Sequence, residues 1–281
     1  MTGGSGTRLA VLGSPISHSK SPAIHRAAYA ALGLDWHYEA VEVDGPSLEA
    51  FVQSRDEAWR GLSLTMPLKR DILPLLAWRD PVVDVVGAAN TVLFDLAGLR
   101  GFNTDVMGVE RAFREADVAA LDSVHVLGGG ATAASVIAGV ARLGASRALV
   151  SARTPDRAQP LVALGAALGV DVTIRPWGDP GPSMLAPDAV VSTVPGGQND
   201  LSFPESVRAS AVLFDVSYDP WPSSAAIEWA DAGGAVISGL DLLINQAVGQ
   251  IRIFVSGDPT IPLELEHAVV AAMRAAATMG G

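Results

Sequence analysis

Two ionisable side chains occupy positions that a parallel sheet would bring to one edge. Lys69 comes two residues after Pro67, which itself follows the alternating apolar stretch 61–65. Because proline has no N–H to donate, Pro67 ends the strand's hydrogen-bonded ladder and leaves Thr65 and Lys69 at its carboxyl end. Asp105 ends another predicted strand. Ligands bind at this edge of open α/β sheets, so an ammonium and a carboxylate there could perform acid–base chemistry.

The composition limits the class of protein. A chain of 281 residues with 49% apolar residues is long for one domain and comfortable for two. The absence of cysteine excludes disulfides and thiolate metal sites, and the five histidines show no metal-ligand spacing. A net charge of −11 disfavours nucleic acid or an anionic membrane as a partner, because both require a basic surface. With no signal core or membrane span in the sequence, we expect a cytoplasmic protein that binds a small molecule.

The first part of the chain alternates between strand and helix patterns. This alternation predicts a parallel sheet with right-handed crossovers. The predicted strands are 8–12, 36–43 and 60–64, and the predicted helices are 22–32, 46–54 and one from residue 68. A strand at 92–95 and a second hairpin arm that ends at 101–105 follow, before a helix at 106–115.

A hydroxyl-rich loop, 13–22, separates the first strand from the first helix. Ser21 followed by Pro22 predicts a helix N-cap and first helical position. Ser17 and Ser19 would then lie beside a helix N-terminus, where hydroxyls and free N–H groups can receive an anion.

A second α/β pattern begins at the predicted strand 123–127. It continues directly into Gly128-Gly129-Gly130-Ala131-Thr132-Ala133 and an apolar helix to about residue 143. In this G-x-G-x-x-A spacing, the first glycine makes the turn and the second lets the backbone approach a pyrophosphate. The small sixth residue lets the helix pack on the strand. A strand before the motif and a helix after it predict a dinucleotide site.

The strand 147–150 ends in Ser151-Ala152-Arg153-Thr154-Pro155-Asp156-Arg157. An acidic residue at the strand end would bind the ribose 2′-OH of NAD, whereas arginine pairs with a phosphate. Arg153 and Arg157 therefore favour NADP. Asp156 is the objection, but Thr154 as N-cap would place Asp156 in the first helical turn, where it favours the helix dipole.

The rest of the chain completes this second pattern and then becomes helical. Further strands are predicted at 170–174, 189–192, 212–216 and 235–237, with a helix at 223–232. The loop that contains Thr193, Val194 and Pro195 ends one of them and would lie beside a nicotinamide. The helices at 240–256 and 263–279 have no strands of their own to cover, so we expect them to pack on the first domain.

Several motifs stand together in one order. They are VLGSPISHSKSP at 11–22, GLSLTMPLK at 61–69, GAANT at 87–91, GFNTD at 101–105, the nucleotide loop, and GLDLLINQ at 239–246. The ordered set resembles the shikimate dehydrogenase family over nearly the whole chain. The resemblance implies a two-domain α/β protein: an N-terminal substrate domain completed by C-terminal helices (1–105 and 239–281) and an NADP-binding Rossmann domain (106–238), with the active cleft between them.

The resemblance also implies an activity, the NADPH-dependent, reversible reduction of 3-dehydroshikimate to shikimate in aromatic amino acid biosynthesis. Lys69 and Asp105 would be the catalytic pair. The implied substrate ligands are Ser17, Ser19 and Tyr218 for the carboxylate and Thr65, Asn90 and Gln246 for the ring hydroxyls. The implied cofactor contacts are Gly128, Gly129, Gly130, Ala131, Ala133, Ser151, Arg153, Thr154, Arg157, Thr193, Val194, Pro195, Val216 and Gly239. The oligomeric state stays open, with a homodimer as one option.

Alternatives remain at this stage. Ser63 stands where the family frequently has Asn, and Arg26 and Asp241 also depart from the commonest motifs. A quinate/shikimate or aminoshikimate dehydrogenase would share most of these residues, although Ser17 and Thr65 leave little room for the extra hydroxyl of quinate. A non-catalytic NADP-binding module would be expected to have lost the catalytic lysine or aspartate, and both are present.

Overall fold

The chain forms two compact units. The computed structural model describes residues 6–178, 186–194 and 201–279. Unit 1 runs to Thr104 and resumes at Gln246, and unit 2 runs from Asp105 to Asn245. The sequence placed these boundaries after residue 105 and before residue 239. Which unit binds substrate and which binds cofactor stays a prediction.

Unit 1 begins with eleven short elements. They are β1 (Thr7–Gly13), α1 (Ser21–Ala31), β2 (Trp36–Glu42), α2 (Gly45–Gln53), β3 (Trp59–Leu64), α3 (Leu68–Asp71), the 3₁₀ turn Leu73–Leu75, β4 (Trp78–Arg79), α4 (Pro81–Val86), β5 (Thr91–Asp95) and β6 (Gly98–Phe102).

These strands form one six-stranded sheet in the order β2-β1-β3-β5-β6-β4. β1 pairs in parallel with β2 and β3, as the alternation predicted, and β5 and β6 form the predicted antiparallel hairpin. The central strands β1 and β3 are almost continuously buried, whereas the edge strand β2 is mostly half-buried or exposed and buries only Tyr38. β4 and α4 were not predicted, because two residues of strand are too few to show a period.

One hydrophobic cluster of unit 1 lies between the sheet and the helices α2 and α3. Leu12 and Leu62 from the central strands pack there with Leu48 of α2 and Leu68 of α3, and all four side chains are buried. The side chain of Asp44 accepts a hydrogen bond from the backbone N of Ser47 at 3.0 Å and so begins α2.

Unit 2 contains the next group of elements. They are α5 (Asp105–Glu115), β7 (Ser123–Leu127), α6 (Ala131–Ala141), β8 (Arg147–Ala152), α7 (Pro155–Ala158), α8 (Pro160–Leu168), β9 (Asp171–Pro176), β10 (Ala189–Ser192), α9 (Glu205–Ser210), β11 (Val212–Asp215), α10 (Ser224–Asp231) and β12 (Val236–Ser238).

The sheet of unit 2 is parallel and has the order β12-β11-β10-β7-β8-β9. Numbered from its first strand, this is the 3-2-1-4-5-6 order of a Rossmann fold, and the strand order reverses between β7 and β10. Dinucleotides bind outside the carboxyl ends of strands at such a reversal. The Rossmann prediction is confirmed, and the predicted strands and helices of this unit lie within a few residues of the observed ones.

Two long helices end the chain. α11 (Gly239–Ser256) starts in unit 2 and ends in unit 1, and α12 (Glu266–Met279) packs on α1. Arg252 of α11 forms a hydrogen-bonded ion pair with Glu266 of α12, with 2.5 Å between Nη2 and Oε1. Within the described residues, no helix combines the length and apolar character that a membrane crossing requires.

His25 is buried and His125 is half-buried, and burial favours the neutral form of both. His25 on α1 is completely buried, its ring centroid lies 4.0 Å from that of Tyr38, and its ring nitrogens have no hydrogen-bond partner among the described residues. Burial lowers the pKa of His25 to about 3. On β7, burial lowers the pKa of His125 to about 4. Both histidines therefore make the free energy of unfolding depend on pH.

The stability should fall on mild acidification. An unfolded histidine binds a proton below pH 6.5 and the folded form does not, so the stabilisation is complete above pH 6.5 and is lost as the pH falls. From about pH 6.5 to about pH 5, each histidine should remove about 2 kcal/mol from the free energy of unfolding. Urea unfolding of the wild-type chain and of His25→Phe across this range measures the effect.

His25→Phe should lose about half of the pH dependence of the free energy of unfolding. His267→Gln, at an exposed position of α12, is the matched control and should keep the wild-type slope. A His25→Phe variant with the wild-type slope would contradict the assignment.

Candidate active site

The end of β3 has the strand–turn–helix arrangement that the sequence predicted. β3 ends at Leu64, Pro67 is the N-cap of α3, and Lys69 is the second residue of α3. The backbone N of Thr65 donates to the carbonyl of Leu12 at 2.9 Å, so Thr65 still lies beside the end of β1. Thr65 and Lys69 are both half-buried. A hydroxyl and an ammonium are thus delivered to the carboxyl edge of the unit 1 sheet.

Gly13 allows the loops after β1 and β3 to touch. A Cβ at this position would overlap the Cγ2 methyl of Thr65 and lie 2.9 Å from the carbonyl of Met66. That carbonyl accepts a hydrogen bond from the backbone N of Ser14 at 3.0 Å. The close approach fixes the hydroxyl-rich loop beside Thr65.

The hydroxyl-rich loop leads into α1 differently from the prediction. Lys20, not Ser21, is the N-cap of α1, so the predicted cap is wrong by one position. The reason is that the Oγ of Ser19 accepts a hydrogen bond from the backbone N of Ser21 at 3.3 Å. The Nζ of Lys20 donates to the carbonyl of Ala277 in α12 at 3.2 Å. Ser17 is exposed, and the C-terminal helix holds the loop that carries it.

Asn90 joins the other segments of this edge. The side chain of Asn90 is buried, its Oδ1 accepts from the backbone N of Thr104 at 2.9 Å, and its Nδ2 donates to the Oε1 of Gln246 at 3.4 Å. Its carbonyl accepts from the backbone N of Leu64 at 2.8 Å. The preceding backbone N of Ala89 donates to the carbonyl of Lys69 at 2.8 Å. Asn90 therefore connects β3, α3, α11 and the segment that leads to Asp105.

The predicted substrate and catalytic residues divide between the two units. Asp105 is buried and begins α5 directly after Thr104, and Tyr218 is half-buried in the loop after β11. Both belong to unit 2. The others belong to unit 1, and they are Ser17, Ser19, Thr65, Lys69, Asn90 and Gln246.

Three buried polar residues form a chain of hydrogen bonds that the sequence did not predict. Tyr38 donates to Ser63, Ser63 donates to Gln250, and Gln250 donates to the Asn90 carbonyl. The one sequence signal for Gln250 is its spacing of four residues from Gln246, which puts both on one face of α11. Burial of a polar side chain depends on tertiary packing, so this signal is weak.

In unit 2, the glycine-rich loop lies where the sequence placed it. Gly128 follows β7 with φ of +109°, and a Cβ there would overlap the Oγ1 of Thr193. The Oγ1 of Thr193 donates to the carbonyl of Leu127 at 2.8 Å, which closes the loop across the strand reversal. Gly130 is the N-cap of α6 and Ala133 is buried. This cradle fits a pyrophosphate at a helix N-terminus.

The end of β8 carries the predicted phosphate ligands. Arg153 and Arg157 are exposed, and the guanidinium of Arg153 lies 5.6 Å from the ring centroid of Trp177. Thr154 is the N-cap of α7 as predicted, although its side chain makes no capping hydrogen bond, and Asp156 lies in the first turn. This position confirms Asp156 as a helix-terminal residue.

Other predicted cofactor contacts lie at neighbouring strand ends. Ser151 is buried with its Oγ 2.8 Å from the Nε2 of His125. Val216 follows β11, and a Cβ at Gly239 would overlap the Val216 carbonyl, so these two residues are adjacent. Gly129, Ala131, Thr193 and Val194 are also within the described part of the chain, and Pro195 lies outside it. Among the described residues, no group of His, Asp or Glu side chains could hold a metal ion.

Substitutions at two glycines should separate folding from dinucleotide binding. Gly128→Ala should lower the melting temperature by several degrees, because alanine is strained at this φ and would overlap Thr193. Gly130→Ala meets no atom within 4 Å and should fold like the wild-type chain. It should nevertheless weaken dinucleotide binding about tenfold or more, since the added methyl blocks the backbone approach.

Thermal unfolding and calorimetric titration with the cofactor measure the two effects. If Gly130→Ala binds the cofactor with the wild-type affinity, the pyrophosphate does not bind at this loop.

Known proteins resemble this chain over most of its length. A family profile described as the shikimate dehydrogenase substrate binding domain matches residues 11–92. The NADP(+) shikimate dehydrogenase of Methanosarcina acetivorans is 34% identical over 255 residues, which cover 87% of this chain and 91% of that protein.

Solved structures agree with the sequence relatives. The crystal structure of Mycobacterium tuberculosis shikimate dehydrogenase superposes with a TM-score of 0.84 and 38% identity, covering 96% of this chain and 99% of that one. The Thermus thermophilus enzyme, solved in complex with NADP(H) and shikimate, superposes with a TM-score of 0.80 and 29% identity, covering 96% of this chain and 99% of that one. With this identity and coverage, the chain belongs to the shikimate dehydrogenase family.

Proposed function

We propose that this chain is an NADP-dependent shikimate dehydrogenase, an oxidoreductase that reversibly reduces 3-dehydroshikimate to shikimate. The observation that carries the proposal is the placement of Thr65, Lys69 and Asn90 at one sheet edge, where backbone hydrogen bonds of Leu64 and Ala89 connect their segments. This edge lies in the unit whose residues 11–92 match the family's substrate binding domain. The reaction serves aromatic amino acid biosynthesis in the cytoplasm, and unit 1 is the substrate domain while unit 2 binds NADP.

The proposed substrate contacts use neutral donors for the carboxylate. Ser17 and Ser19 present hydroxyls beside the start of α1, where the helix dipole favours an anion. Tyr218 supplies the third hydroxyl. The ring hydroxyls are bound by Thr65, Asn90 and Gln246. Asn90 contacts Gln246 directly, and its carbonyl bonds the backbone N of Leu64, next to Thr65. A short hydroxyl and two amides can each donate and accept, as recognition of an alcohol requires.

The catalytic pair, Lys69 and Asp105, performs the proton transfer. Hydride arrival at a ketone carbon builds negative charge on the oxygen, which needs a proton donor nearby. The ammonium of Lys69 is that donor, and the carboxylate of Asp105 orients it. Positioned acid–base groups contribute about 10²–10⁴-fold to a rate. In the reverse direction the neutral amine of Lys69, the form that the forward transfer leaves, receives the proton of the shikimate hydroxyl.

The cofactor contacts are proposed from the fit of unit 2. NADPH supplies the hydride when bound. The Gly128–Gly130 loop and the N-terminus of α6 receive the pyrophosphate, and Arg153 with Arg157 pairs with the 2′-phosphate. Although the chain has a net charge of −11, these two arginines supply positive charge at the place where the 2′-phosphate would bind. Further contacts come from Gly129, Ala131, Ala133, Ser151, Thr154, Thr193, Val194, Pro195, Val216 and Gly239.

Removal of the proton donor should slow the reaction without loss of cofactor binding. Lys69→Ala should lower kcat for shikimate oxidation by at least about 10²-fold, because the alkoxide loses its acid–base partner. NADPH affinity should stay at the wild-type value. Arg70→Ala, the exposed neighbour on α3, is the matched control and should keep most of the activity. Near-normal turnover by Lys69→Ala would refute the role.

Removal of the phosphate ligand should change cofactor preference. Arg153→Ala should raise KM for NADP about tenfold or more and leave KM for NAD nearly unchanged, since NAD has no 2′-phosphate. Arg147→Ala, at the opposite end of β8, is the control and should alter neither value. Initial rates with both cofactors measure the effect. Equal losses with NADP and NAD would show that Arg153 does not contact the phosphate.

A further inference from the structure

A chain of buried hydrogen bonds crosses unit 1 beneath the proposed substrate ligands. The hydroxyl of Tyr38 donates to the Oγ of Ser63 at 2.7 Å, and Ser63 donates to the Oε1 of Gln250 at 2.9 Å. The Nε2 of Gln250 donates to the carbonyl of Asn90 at 3.1 Å. All four residues are buried, none more than 3% exposed. We call the two bonds of Gln250, to Ser63 and to Asn90, the Gln250 bridge.

The direction of this chain of bonds is fixed from one end. The Asn90 carbonyl can only accept, so the amide NH₂ of Gln250 must face it. The amide oxygen then faces Ser63, and the Ser63 hydroxyl has to donate to it. Because the hydroxyl proton of Ser63 is used in this bond, the Oγ of Ser63 acts as the acceptor for the hydroxyl of Tyr38. Each group has one allowed orientation, so the bonds specify a single arrangement of α11 against β3.

The Gln250 bridge contacts both sides of the proposed substrate site. Ser63 lies in β3 two residues before Thr65, which directly follows the end of that strand. The Asn90 carbonyl accepts from Gln250 and from the backbone N of Leu64 at 2.8 Å, which ties the Asn90 peptide to β3. The bridge therefore sets the distance between the strand end that bears Thr65 and the loop that bears Asn90.

The bridge also sets the register of α11. Gln250 follows Gln246 by one helical turn, and both side chains lie on one face of the helix. Gln246 reaches the side chain of Asn90 and Gln250 reaches its backbone. A buried amide bonded at both ends resists rotation and sliding of the helix, since either motion would leave buried polar groups without partners.

We propose that Gln250 is a positioning residue of the enzyme, one that holds Thr65, Asn90 and Gln246 in the geometry that binds the ring hydroxyls of shikimate. This inference rests on the proposed function. Ser63 is part of the Gln250 bridge, because its short side chain leaves space for the longer side chain of Gln250. Gln250 reaches the substrate only through these ligands, so its loss should affect substrate binding more than the chemical step.

The test compares a single variant with one that removes the whole chain of bonds. Gln250→Leu leaves the buried hydroxyl of Ser63 without its acceptor and should lower the melting temperature. The triple variant Tyr38→Phe, Ser63→Ala, Gln250→Leu replaces the three polar side chains by apolar groups of similar shape. The Asn90 carbonyl keeps the backbone N of Leu64 as its donor, so the change is close to neutral for stability. A purely structural role predicts that substrate binding recovers together with stability in the triple variant.

A positioning role predicts that binding does not recover. In both variants, the Kd for shikimate from calorimetric titration and the KM in the NADP assay should rise about tenfold, the loss that accompanies one ordinary hydrogen bond. The value of kcat should change less than about threefold, and KM for NADP should stay within about twofold. Gln53→Leu, an exposed glutamine of α2, is the matched control and should bind shikimate normally.

The two proposals fail in different experiments. A wild-type chain that neither binds nor oxidises shikimate overturns the proposed function, and the positioning role with it. An active wild-type enzyme whose triple variant binds shikimate with the wild-type Kd overturns the positioning role alone.

Discussion

Asn90 is a buried amide at the place where four segments of unit 1 meet. A buried amide or carbonyl without partners costs about 1–3 kcal/mol, so each segment around Asn90 has to supply a hydrogen bond. Thr104 and Gln246 satisfy its side chain, while Leu64 and Gln250 satisfy its carbonyl. The requirement holds β3, the loop before β5, the end of β6 and α11 in one arrangement. The proposed ligands of the ring hydroxyls, which are Thr65, Asn90 and Gln246, lie on these segments or directly beside them, so this part of the site follows from the constraint.

In unit 2, the geometry of the backbone shapes the glycine-rich loop. Its parallel sheet reverses strand order between β7 and β10, and Gly128 makes the turn that lets the loop close against Thr193. The loop ends at the N-terminus of α6, where free N–H groups favour an anion. Positive charge comes from two exposed arginines after β8 in a chain of net charge −11. An acidic protein can thus take an anionic cofactor through a local site.

The sequence predicted most of the fold because apolar periods and strand-end motifs are local signals. The Rossmann order, the β5–β6 hairpin and the turn at Pro67 all follow from them. The cap of α1 was missed by one residue because the Ser19 hydroxyl takes the backbone N of Ser21. The Gln250 bridge was missed because it joins residues far apart in the chain. A glutamine in a helix pattern carries no sign of burial.

Initial rates with shikimate and quinate, each with NADP and NAD, decide whether this chain acts on shikimate with NADP. We expect the highest kcat/KM for shikimate with NADP. The proposed carboxylate ligands Ser17 and Ser19, with Thr65 at a ring hydroxyl, leave little room for the extra hydroxyl of quinate. Arg153, which directly follows β8, is the proposed ligand of the 2′-phosphate that NAD lacks. A higher kcat/KM for quinate, or for NAD with either substrate, would contradict this expectation.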